Sequence, residues 1–455
     1  MKDLIKKIIP SFLLNFYYLF FPFLGNIIYG CPSKKLKVIG ITGTNGKSTV
    51  ANLVTDIFEE AGFSVASMSS IRFKIAEKEW ENTLKMTMPG RMMIQKFLNQ
   101  AVRAGCDYAV LEVTSEGIKQ FRHKFIEFDV AVLTTLTAEH IESHGSFAKY
   151  KEAKGELFKS LFARCANQTE ETLRTRKISI VNLDNPHSDY FLGFPANEKY
   201  GFTISSFRNQ ERKKEPVQNK DLKVIAAEEV DILSDGVKFF FNGSEFNLKL
   251  IGKFNVYNAL AAISVGVSQG INLETIRKAL TRVEKIPGRM EIIAVDPFTV
   301  IVDYAHTPDA LEEVYCTIQN QLISSGKQKI RCVLGSAGGG RDKWKRPEMG
   351  KIAAKYCDQI ILTNEDPYNE DPEQILSEIE SGVIEGEKQD ITVKILDRKE
   401  AIREVLISAN PGDVVIITGK GSEPWLMVKR KRISWDDREI VRTELNNIIK
   451  RMEEK

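Results

Sequence analysis

Leu36-Lys37-Val38-Ile39-Gly40-Ile41-Thr42-Gly43-Thr44-Asn45-Gly46-Lys47-Ser48-Thr49 is followed by a helix-like segment from Val50 to Ala61. An apolar strand that runs through a glycine turn into a helix directs backbone N–H groups and the positive helix end at one point, which suits a polyphosphate. Lys47 would neutralise the outer phosphates, and the Ser48 hydroxyl would hold Mg²⁺. The usual G-x-x-x-x-G-K-[ST] spacing fails because position 41 is Ile. The segment therefore predicts a tighter phosphate-binding loop, with an ordinary glycine turn as the alternative.

The composition is that of a globular protein. At 455 residues the chain is long enough for two or three domains. Its 64 basic and 61 acidic side chains leave a formal charge of +3, so charge gives no reason to expect a nucleic acid partner. The six cysteines are scattered without a Cys-x-x-Cys pair, which predicts neither a zinc site nor a disulfide framework. A reducing cytoplasm is the simplest location.

The N-terminal segment, residues 1–35, is strongly apolar. Three lysines in the first seven residues precede a charge-free run from Ile8 to Tyr29, which is long enough to cross a bilayer. Two prolines interrupt this run, and no signal-peptide cleavage pattern follows it. Three interpretations remain: helices packed on the catalytic body, which we favour, an anchor at the inner membrane surface through residues 8–29, or a spanning helix.

The rest of the chain predicts an α/β fold with two units. From Leu36 to about Ile286 apolar strands alternate with amphipathic helices, as in a parallel sheet covered on both faces. A polar segment, Asn209 to Asp221, precedes short runs such as Val237–Phe241 that predict an antiparallel appendage. The pattern restarts at Pro287-Gly288. We expect a central ATP-binding domain at 36–286 and a C-terminal Rossmann-like domain at 287–455, with strands at Tyr108–Leu111, Val130–Leu133, Ile178–Val181, Val300–Val302, Ile330–Leu334, Gln359–Leu362 and Val414–Ile417.

Two further groups suggest metal chemistry. Glu112 lies at the carboxyl end of a predicted strand, where doubly wound sheets gather ligand-binding groups, and could complete a Mg²⁺ site begun by Ser48. Glu139-His140-Ile141-Glu142-Ser143-His144-Gly145 places two histidines four residues apart beside two acids. This pattern fits either a metal site or solvated loop histidines.

Several ordered motifs carry a family resemblance. Gly43–Thr49, Glu112-Val113-Thr114-Ser115, Glu139–Gly145 and Ala153-Lys154-Gly155-Glu156-Leu157-Phe158 resemble the central domain of the Mur ligases, ATP-dependent amide-forming enzymes of peptidoglycan synthesis. Later motifs are similar to the branch that adds the third peptide residue to UDP-N-acetylmuramoyl-dipeptide: Gly252–Ala259, Pro287–Glu291, Val302–Ala310, Gly338–Pro347 and Gly419–Glu423. The resemblance runs from about Leu36 to the C-terminus.

The resemblance implies a reaction and a set of sites. ATP would phosphorylate a carboxylate, an amine would attack the acyl phosphate, and two Mg²⁺ ions with Lys47 would offset the transferring charge. By the family pattern Ser48 and Glu112 hold one Mg²⁺, His140 helps to hold the second, and Lys154 matches a lysine that is carbamylated in the family. Domain closure would gate turnover. The other implied contacts are Gly43, Thr44, Asn45, Gly46, Thr49, Asn255, Asn258, Arg289 and Asp303 for ATP, Thr87, Thr114, Gln120 and Arg122 for the muramoyl acceptor, and His306, Arg341, Glu365, Asp366, Gly419 and Glu423 for substrate binding.

The sequence departs from the family pattern in two places. About 35 residues precede the loop, too few for the usual UDP-binding domain, so we hypothesise an acceptor held differently, such as a lipid-linked intermediate. Diaminopimelate-adding members carry Asp-Asn-Pro-Arg where this chain has Glu365-Asp366-Pro367-Tyr368. A tyrosine cannot clamp a carboxylate as arginine does, and two acids favour an ammonium group. We therefore expect lysine or ornithine as the incoming residue, with diaminopimelate close behind.

Two competing functions remain. Folylpolyglutamate synthetases share the loop and the domain plan, but the stretches Asp303–Pro308 and Gly419–Gly421 disfavour them. The other alternative is a non-catalytic, membrane-tethered nucleotide-binding subunit. The presence of Lys47 together with Glu112, His140 and Lys154 argues against it.

Overall fold

The structure is a computed structural model that describes residues 11–84, 86–90, 92–162, 176–204, 221–323, 327–428 and 431–453. Its strands are β1 (Lys37–Thr42), β2 (Val65–Met68), β3 (Arg72–Ile75), β4 (Lys78–Glu81), β5 (Tyr108–Glu112), β6 (Val130–Leu133), β7 (Ile178–Asn182), β8 (Glu198–Thr203), β9 (Leu222–Ala226), β10 (Glu228–Leu233), β11 (Gly236–Phe241), β12 (Ser244–Leu248), β13 (Glu291–Ala294), β14 (Thr299–Val302), β15 (Ile330–Leu334), β16 (Gln359–Leu362), β17 (Thr392–Lys394), β18 (Val414–Ile417), β19 (Trp425–Val428) and β20 (Lys431–Ser434).

The α-helices span Ser11–Ile28, Lys47–Glu60, Met93–Arg103, Ser115–Lys119, Ile141–His144, Phe147–Ser160, Ser188–Leu192, Phe254–Ser268, Leu273–Arg282, Pro308–Thr317, Lys345–Tyr356, Pro372–Glu385, Arg398–Ser408 and Asp437–Glu453. Short 3₁₀-helices occupy Pro32–Lys35 and Gln389–Ile391, and a π-helical turn occupies Ile318–Leu322.

The central sheet has nine strands in the order β4-β3-β2-β5-β1-β6-β7-β8-β9. All neighbours from β2 to β9 are parallel, whereas β3 and β4 form an antiparallel edge. Strand β1 lies between β5 and β6, and Ile41 pairs with both Glu112 and Val132. The carboxyl ends of these three parallel strands therefore meet at one edge, where the phosphate loop begins.

Helices cover both faces of this sheet. Lys47–Glu60 and Phe254–Ser268 contribute to the apolar core on one face, and Met93–Arg103 and Phe147–Ser160 contribute to the core on the other. Because both faces are covered, β1 is buried from Val38 to Thr42, which explains its nearly continuous apolar sequence.

The second sheet has the order β13-β14-β18-β15-β16-β17, parallel except for β13 at its edge. Each strand predicted for this part of the chain is present. Strands β10 to β12 form a three-stranded antiparallel sheet, so the predicted appendage is confirmed, although most of the polar segment before it lies outside the described residues. The α/β fold class is confirmed, and the domain boundaries stay predictions.

The apolar N-terminal segment forms the helix Ser11–Ile28, preceded by residues outside the described part of the chain. Tyr18, Pro22 and Gly25 are buried at helical spacing, and Gly25 lies against the start of the helix Met93–Arg103. The segment thus packs on the central domain, as the favoured interpretation expects. Among the described residues no helix has the length and apolarity needed to cross a bilayer.

One cysteine pair differs from expectation. Cys332 in β15 and Cys357, directly after the helix Lys345–Tyr356, form a disulfide with 6.2 Å between their Cα atoms. The scattered spacing predicted no disulfide, but a strand and the end of its following helix bring the two residues together. The free cysteines among the described residues are Cys31, Cys106 and Cys316.

Candidate active site

A cavity of about 730 Å³ lies between the phosphate loop and the second sheet. Most of the predicted site residues line it, from both domains: Thr44, Asn45, Gly46, Lys47, Ser48, Thr49, Thr87, Glu112, Thr114, His140, Asn258, Arg289, Asp303, His306, Arg341, Glu365, Asp366, Gly419 and Glu423. Five predicted residues lie behind or beside its wall: Gly43, Gln120, Arg122, Lys154 and Asn255.

The phosphate loop leads directly into the helix Lys47–Glu60. Gly43 and Gly46 have φ angles of 152° and 82°, and a Cβ on either would collide with Thr134 Oγ1 or Asn258 Oδ1, respectively. Only glycine therefore fits these two positions. Lys47 folds back and donates from Nζ to the carbonyls of Gly43 at 3.0 Å and Thr44 at 2.7 Å. The loop thus gathers an ammonium group and the helix N-terminus beside the cavity, as an anion site requires.

Ser48 and Glu112 meet as the sequence predicts. Ser48 Oγ donates to Glu112 Oε2 at 2.9 Å, and the same carboxylate oxygen accepts from the Ser70 N–H at 2.8 Å. Ser70 Oγ lies 2.6 Å from Ser48 Oγ. Sequence reasoning missed Ser70, which lies in the loop between β2 and β3 and belongs to no recognised motif.

This donor set fits Mg²⁺. Magnesium prefers few carboxylates together with phosphate oxygens and water, and a hydroxyl beside one buried carboxylate is such a set. In the part of the chain that the structure describes, no cluster of three or more His, Cys, Asp or Glu side chains is arranged to hold a metal. A site completed by nucleotide phosphates needs no such cluster.

His140 and Glu139 face the C-terminal domain. Glu139 Oε1 lies 3.6 Å from His140 Nε2 and 3.4 Å from His306 Nε2. Burial alone would raise the pKa of Glu139, but the two histidines hold it well below its usual value. Burial lowers the pKa of His140, and the neighbouring Glu139 opposes this shift. Glu139 was visible in the sequence only as an acid beside a histidine.

Lys154 lies behind the phosphate loop. Its side chain is buried, and Nζ donates to the Gly43 carbonyl at 2.7 Å and lies 4.5 Å from the centre of the Tyr150 ring. Burial and the neighbouring Lys47 hold the pKa of Lys154 well below its usual range. The neutral amine form is therefore more populated at Lys154 than at a surface lysine.

The predicted nucleotide contacts outside the phosphate loop come from both domains. Asn258 Nδ2 donates to Asn255 Oδ1 at 2.9 Å, and Asn255 in turn donates to the Ile251 carbonyl at 2.7 Å. Asn255 thus supports Asn258 from behind, on one face of the helix start as predicted. From the second domain, the Arg289 guanidinium stacks 4.3 Å from the Tyr304 ring centre.

Asp303 is buried at the end of β14. Its oxygens accept from the N–H groups of Met290 and Ala305, each at 2.6 Å, and burial raises its pKa. These two bonds tie the chain around Arg289 to β14.

The predicted acceptor contacts divide into two pairs. Thr87 and Thr114 line the cavity, and Thr114 also caps the helix Ser115–Lys119 by accepting from the Gly117 N–H at 3.1 Å. Arg122 instead donates to the Met88 carbonyl and, at 2.6 Å, to Gln120 Oε1. Gln120 and Arg122 therefore hold the segment that carries Thr87.

The two acids predicted for the amino-acid pocket differ in their surroundings. Asp366 accepts from the Met427 N–H at 2.9 Å and from Lys420 Nζ at 3.2 Å. Glu365 is 5% exposed, and its Oε2 has no hydrogen-bond partner in the described part of the chain. Burial raises the pKa of Glu365. Of the two acids, Glu365 is the one with an oxygen that no donor among the described residues satisfies.

The positive charge of Lys420 offsets the negative charges of Asp366 and Glu423. Lys420 lies between these two acids, and its ammonium is 4.3 Å from the Trp425 ring centre. Glu423 also accepts from the Tyr304 hydroxyl at 3.2 Å. Sequence reasoning noticed Lys420 only as part of a Gly-Lys-Gly motif and missed this role.

The opposite wall carries positive charge. The Arg341 guanidinium stacks 5.2 Å from the Tyr368 ring centre. Gly419 has a φ of 105° and lies against Glu365 Oε2, where a Cβ would press on that carboxylate. Arg341 and Glu365, whose Oε2 has no hydrogen-bond partner among the described residues, therefore share the end of the cavity formed by the second domain.

Family models match most of the chain. Residues 41–266 match the Mur ligase middle domain, and residues 288–421 match the Mur ligase, glutamate ligase domain. The UDP-N-acetylmuramoyl-L-alanyl-D-glutamate--2,6-diaminopimelate ligase of Syntrophomonas wolfei is 37% identical over 423 residues, which cover 93% of this chain and 81% of that protein. The UDP-N-acetylmuramyl-tripeptide synthetase of Roseiflexus is 35% identical over 418 residues, which cover 90% of this chain and 78% of that protein.

Solved structures agree with these sequence matches. A UDP-N-acetylmuramoyl-L-alanyl-D-glutamate--2,6-diaminopimelate ligase superposes with a TM-score of 0.55 at 30% identity, over 90% of this chain and 78% of that one. Folylpolyglutamate synthase of Mycobacterium tuberculosis gives a TM-score of 0.66 over 88% of this chain and 92% of that one, but at 17% identity this shows the fold alone. The chain belongs to the Mur ligase family of ATP-dependent ligases.

Proposed function

We propose that this ligase joins a diamino acid to the carboxylate of a muramoyl-dipeptide acceptor in peptidoglycan synthesis. The names of its relatives support the reaction class. The observation that carries the choice of substrate is Glu365, whose buried carboxylate keeps one oxygen without a partner among the described residues, in a cavity shared with the phosphate loop. A buried carboxylate oxygen is best satisfied by a cation, here the side-chain ammonium of the incoming residue.

The chain's own residues have defined tasks in this reaction. ATP, with Mg²⁺, supplies the phosphoryl group that activates the acceptor carboxylate. Ser48 and Glu112 would hold one Mg²⁺, and His140 with modified Lys154 would hold the second. Lys47 offsets phosphate charge, Thr87 and Thr114 position the acceptor, and Arg341 binds the α-carboxylate of the incoming residue. Closure of the two domains brings these groups together and excludes water.

Lys154 is proposed to be carbamylated. Its neutral amine attacks carbon dioxide, an N–C bond forms as one C–O π bond becomes a carboxylate lone pair, and the nitrogen releases one proton to solvent, so that a neutral amine becomes an anionic carbamate. The support is its burial beside Gly43 and Lys47, where a second ammonium is unfavourable.

The incoming residue is expected to be lysine or ornithine in preference to diaminopimelate. Tyr368 stands where diaminopimelate-adding members carry an arginine, and it stacks with Arg341. A tyrosine hydroxyl cannot replace a bidentate guanidinium for a distal carboxylate. Glu365, in contrast, suits an ammonium group directly.

Glu365→Gln tests this assignment. We expect the wild-type protein to use lysine about 100-fold better than norleucine in kcat/KM, because norleucine lacks the ammonium that satisfies Glu365. In Glu365→Gln the two substrates should differ by less than about tenfold. The measurement is ADP release that depends on both a muramoyl-dipeptide and an added amino acid, with ornithine and diaminopimelate as further substrates.

Glu348→Gln, an exposed acid of the same domain, serves as the matched control and should keep the wild-type preference. Equal use of lysine and norleucine by the wild-type protein would contradict the role of Glu365. A strong preference for diaminopimelate over lysine would refute the ordering but keep the diamino-acid substrate.

We infer that the helix Ser11–Ile28 also lies on an anionic membrane surface. Its outer face exposes a set of large apolar side chains, with Phe16 66% exposed: Leu13, Phe16, Leu19, Phe20, Phe23, Ile27 and Ile28. Three lysines precede this helix in the sequence and complement anionic lipid head groups. A contiguous apolar face with a basic end is typical of helices that lie in the membrane interface.

Phe16→Glu/Phe20→Glu tests this surface. We expect the wild-type protein to sediment with vesicles of phosphatidylglycerol and phosphatidylcholine, and the double variant to lose most of that binding, because two carboxylates would enter the interface. Ile407→Glu changes an exposed apolar residue of a C-terminal helix and should keep vesicle binding. Equal sedimentation of the double variant and the wild type would rule out this surface.

A further inference from the structure

Three hydrogen bonds, which run in both directions, join the central and C-terminal domains. The Asp342 carboxylate accepts from the Ile141 N–H at 3.0 Å and from the Glu142 N–H at 2.9 Å. In return, Glu142 Oε1 accepts from the Lys343 N–H at 2.8 Å. Asp342 is 4% exposed, so these bonds to its carboxylate are well shielded from water. We call these contacts the Asp342–Glu142 pair.

The pair supplies a helix cap from the other domain. The helix Ile141–His144 begins after His140, which has a φ of 56° and offers no side-chain cap. Its first two N–H groups are satisfied by Asp342 from 200 residues away. If the domains separated, these N–H groups would lose their anionic acceptor, so the local conformation after His140 depends on the closed arrangement.

Each partner of this pair also lies next to a predicted ligand contact. His140, the predicted metal ligand, directly precedes Ile141. Arg341, the predicted contact of the amino acid's carboxylate, directly precedes Asp342. A shift of the Arg341 segment on binding an amino acid would therefore reach the His140 segment through the two bonds that the Asp342 carboxylate accepts from the Ile141 and Glu142 N–H groups.

We propose that Asp342 is a positioning residue that couples occupation of the amino-acid pocket to closure of the nucleotide site. The proposal rests on the proposed function, because the amino acid binds beside Arg341. Its consequence is reciprocal: a bound nucleotide tightens amino-acid binding by the same factor as a bound amino acid tightens nucleotide binding. Asp342 contacts no reacting atom in this scheme.

The test uses calorimetric titration of the full chain with lysine, with and without AMPPNP and Mg²⁺, in the presence of the muramoyl-dipeptide. In the wild-type protein we expect AMPPNP to tighten lysine binding by about 10-fold or more, within the usual range of coupling between sites. In Asp342→Ala this factor should fall to within about twofold of unity. Asp342→Asn keeps one acceptor oxygen and should give an intermediate factor.

Asp397→Ala is the matched control. The Asp397 carboxylate also accepts from two helix N–H groups, those of Lys399 at 2.9 Å and Glu400 at 3.1 Å, but within one domain. Loss of this cap should lower stability without changing the coupling factor. Glu142→Ala removes the other half of the Asp342–Glu142 pair and should also lower the coupling factor. The double variant Asp342→Ala/Glu142→Ala should lower it by less than the sum of the two single effects.

Small-angle X-ray scattering gives a second readout that needs no amino acid. We expect a larger radius of gyration for Asp342→Ala than for Asp397→Ala with AMPPNP bound, because the domains separate more often.

Unchanged coupling and unchanged scattering in a folded Asp342→Ala would overturn the proposal. Lysine binding that weakens equally with and without AMPPNP would also overturn it, since Asp342 would then act only on Arg341. A further outcome is that the wild type binds neither lysine nor diaminopimelate while Asp342→Ala still changes the scattering. That result would overturn the proposed substrate but support the role of Asp342 between the domains.

Discussion

Lys154→Met is expected to lower kcat for ADP formation by about two to three orders of magnitude, as loss of a charge-stabilising group in a buried site does. The variant removes the bond from Nζ to the Gly43 carbonyl and the proposed carbamate ligand of the second Mg²⁺. Lys154→Arg should be nearly as inactive, because a guanidinium stays charged and forms no carbamate. Retained activity in Lys154→Arg would contradict the carbamate.

Labelling with ¹³C-bicarbonate separates modification from stability. We expect a carbamate signal in the ¹³C NMR spectrum of the wild-type protein and its loss in Lys154→Met. Lys177→Met is the matched control: Lys177 is also buried, but its Nζ pairs with Asp129 Oδ1 and the Phe128 carbonyl, both at 2.8 Å. Its replacement should lower stability and keep the carbamate signal. A wild-type spectrum without that signal would exclude the modification.

Arg398→Met is expected to destabilise the C-terminal domain by about 3–5 kcal/mol, the usual cost of leaving a buried charge without its partner. Arg398 and Asp437 are fully buried, with bonds of 2.9 Å and 2.6 Å between them. Arg398 also donates to the Thr418 carbonyl at 2.8 Å, at the end of β18. This pair therefore fastens the last helix to the strand end that leads into Gly419 and Lys420.

Urea denaturation followed by tryptophan fluorescence measures the effect, because Trp435 Nε1 donates to Asp437 Oδ1 at 2.8 Å and reports on this contact. Arg403→Met, on the same helix, removes an exposed pair with Glu400 and should change stability by less than about 1 kcal/mol. The double variant Arg398→Met/Asp437→Leu should recover much of the loss, since no buried charge is left unpaired. Equal midpoints for Arg398→Met and Arg403→Met would contradict this account.

Short-range signals in the sequence predicted the fold and the nucleotide end of the cavity. Alternating strands and helices identified β5 to β7 and four strands of the second sheet, β14, β15, β16 and β18, because each element is defined by neighbouring residues. The phosphate loop and Glu112 follow strands that are parallel neighbours, so their meeting at one edge followed from the topology. Ser70 was missed because it reaches the Ser48–Glu112 pair from a loop without a pattern of its own.

The sequence by itself determined the α/β architecture, the strand, glycine turn and helix around Gly43 and Gly46, and the family, since all three reside in local order and spacing. Only the tertiary structure decided which of the two neighbouring acids keeps an unpaired oxygen: Asp366 accepts from the Met427 N–H, 61 residues away, whereas Glu365 Oε2 has no partner among the described residues. It also decided that Asp342 caps a helix of the other domain, 200 residues away. The physical reason is the same in both cases: a buried carboxylate's role depends on the donors that reach it, and folding brings those donors from distant parts of the chain.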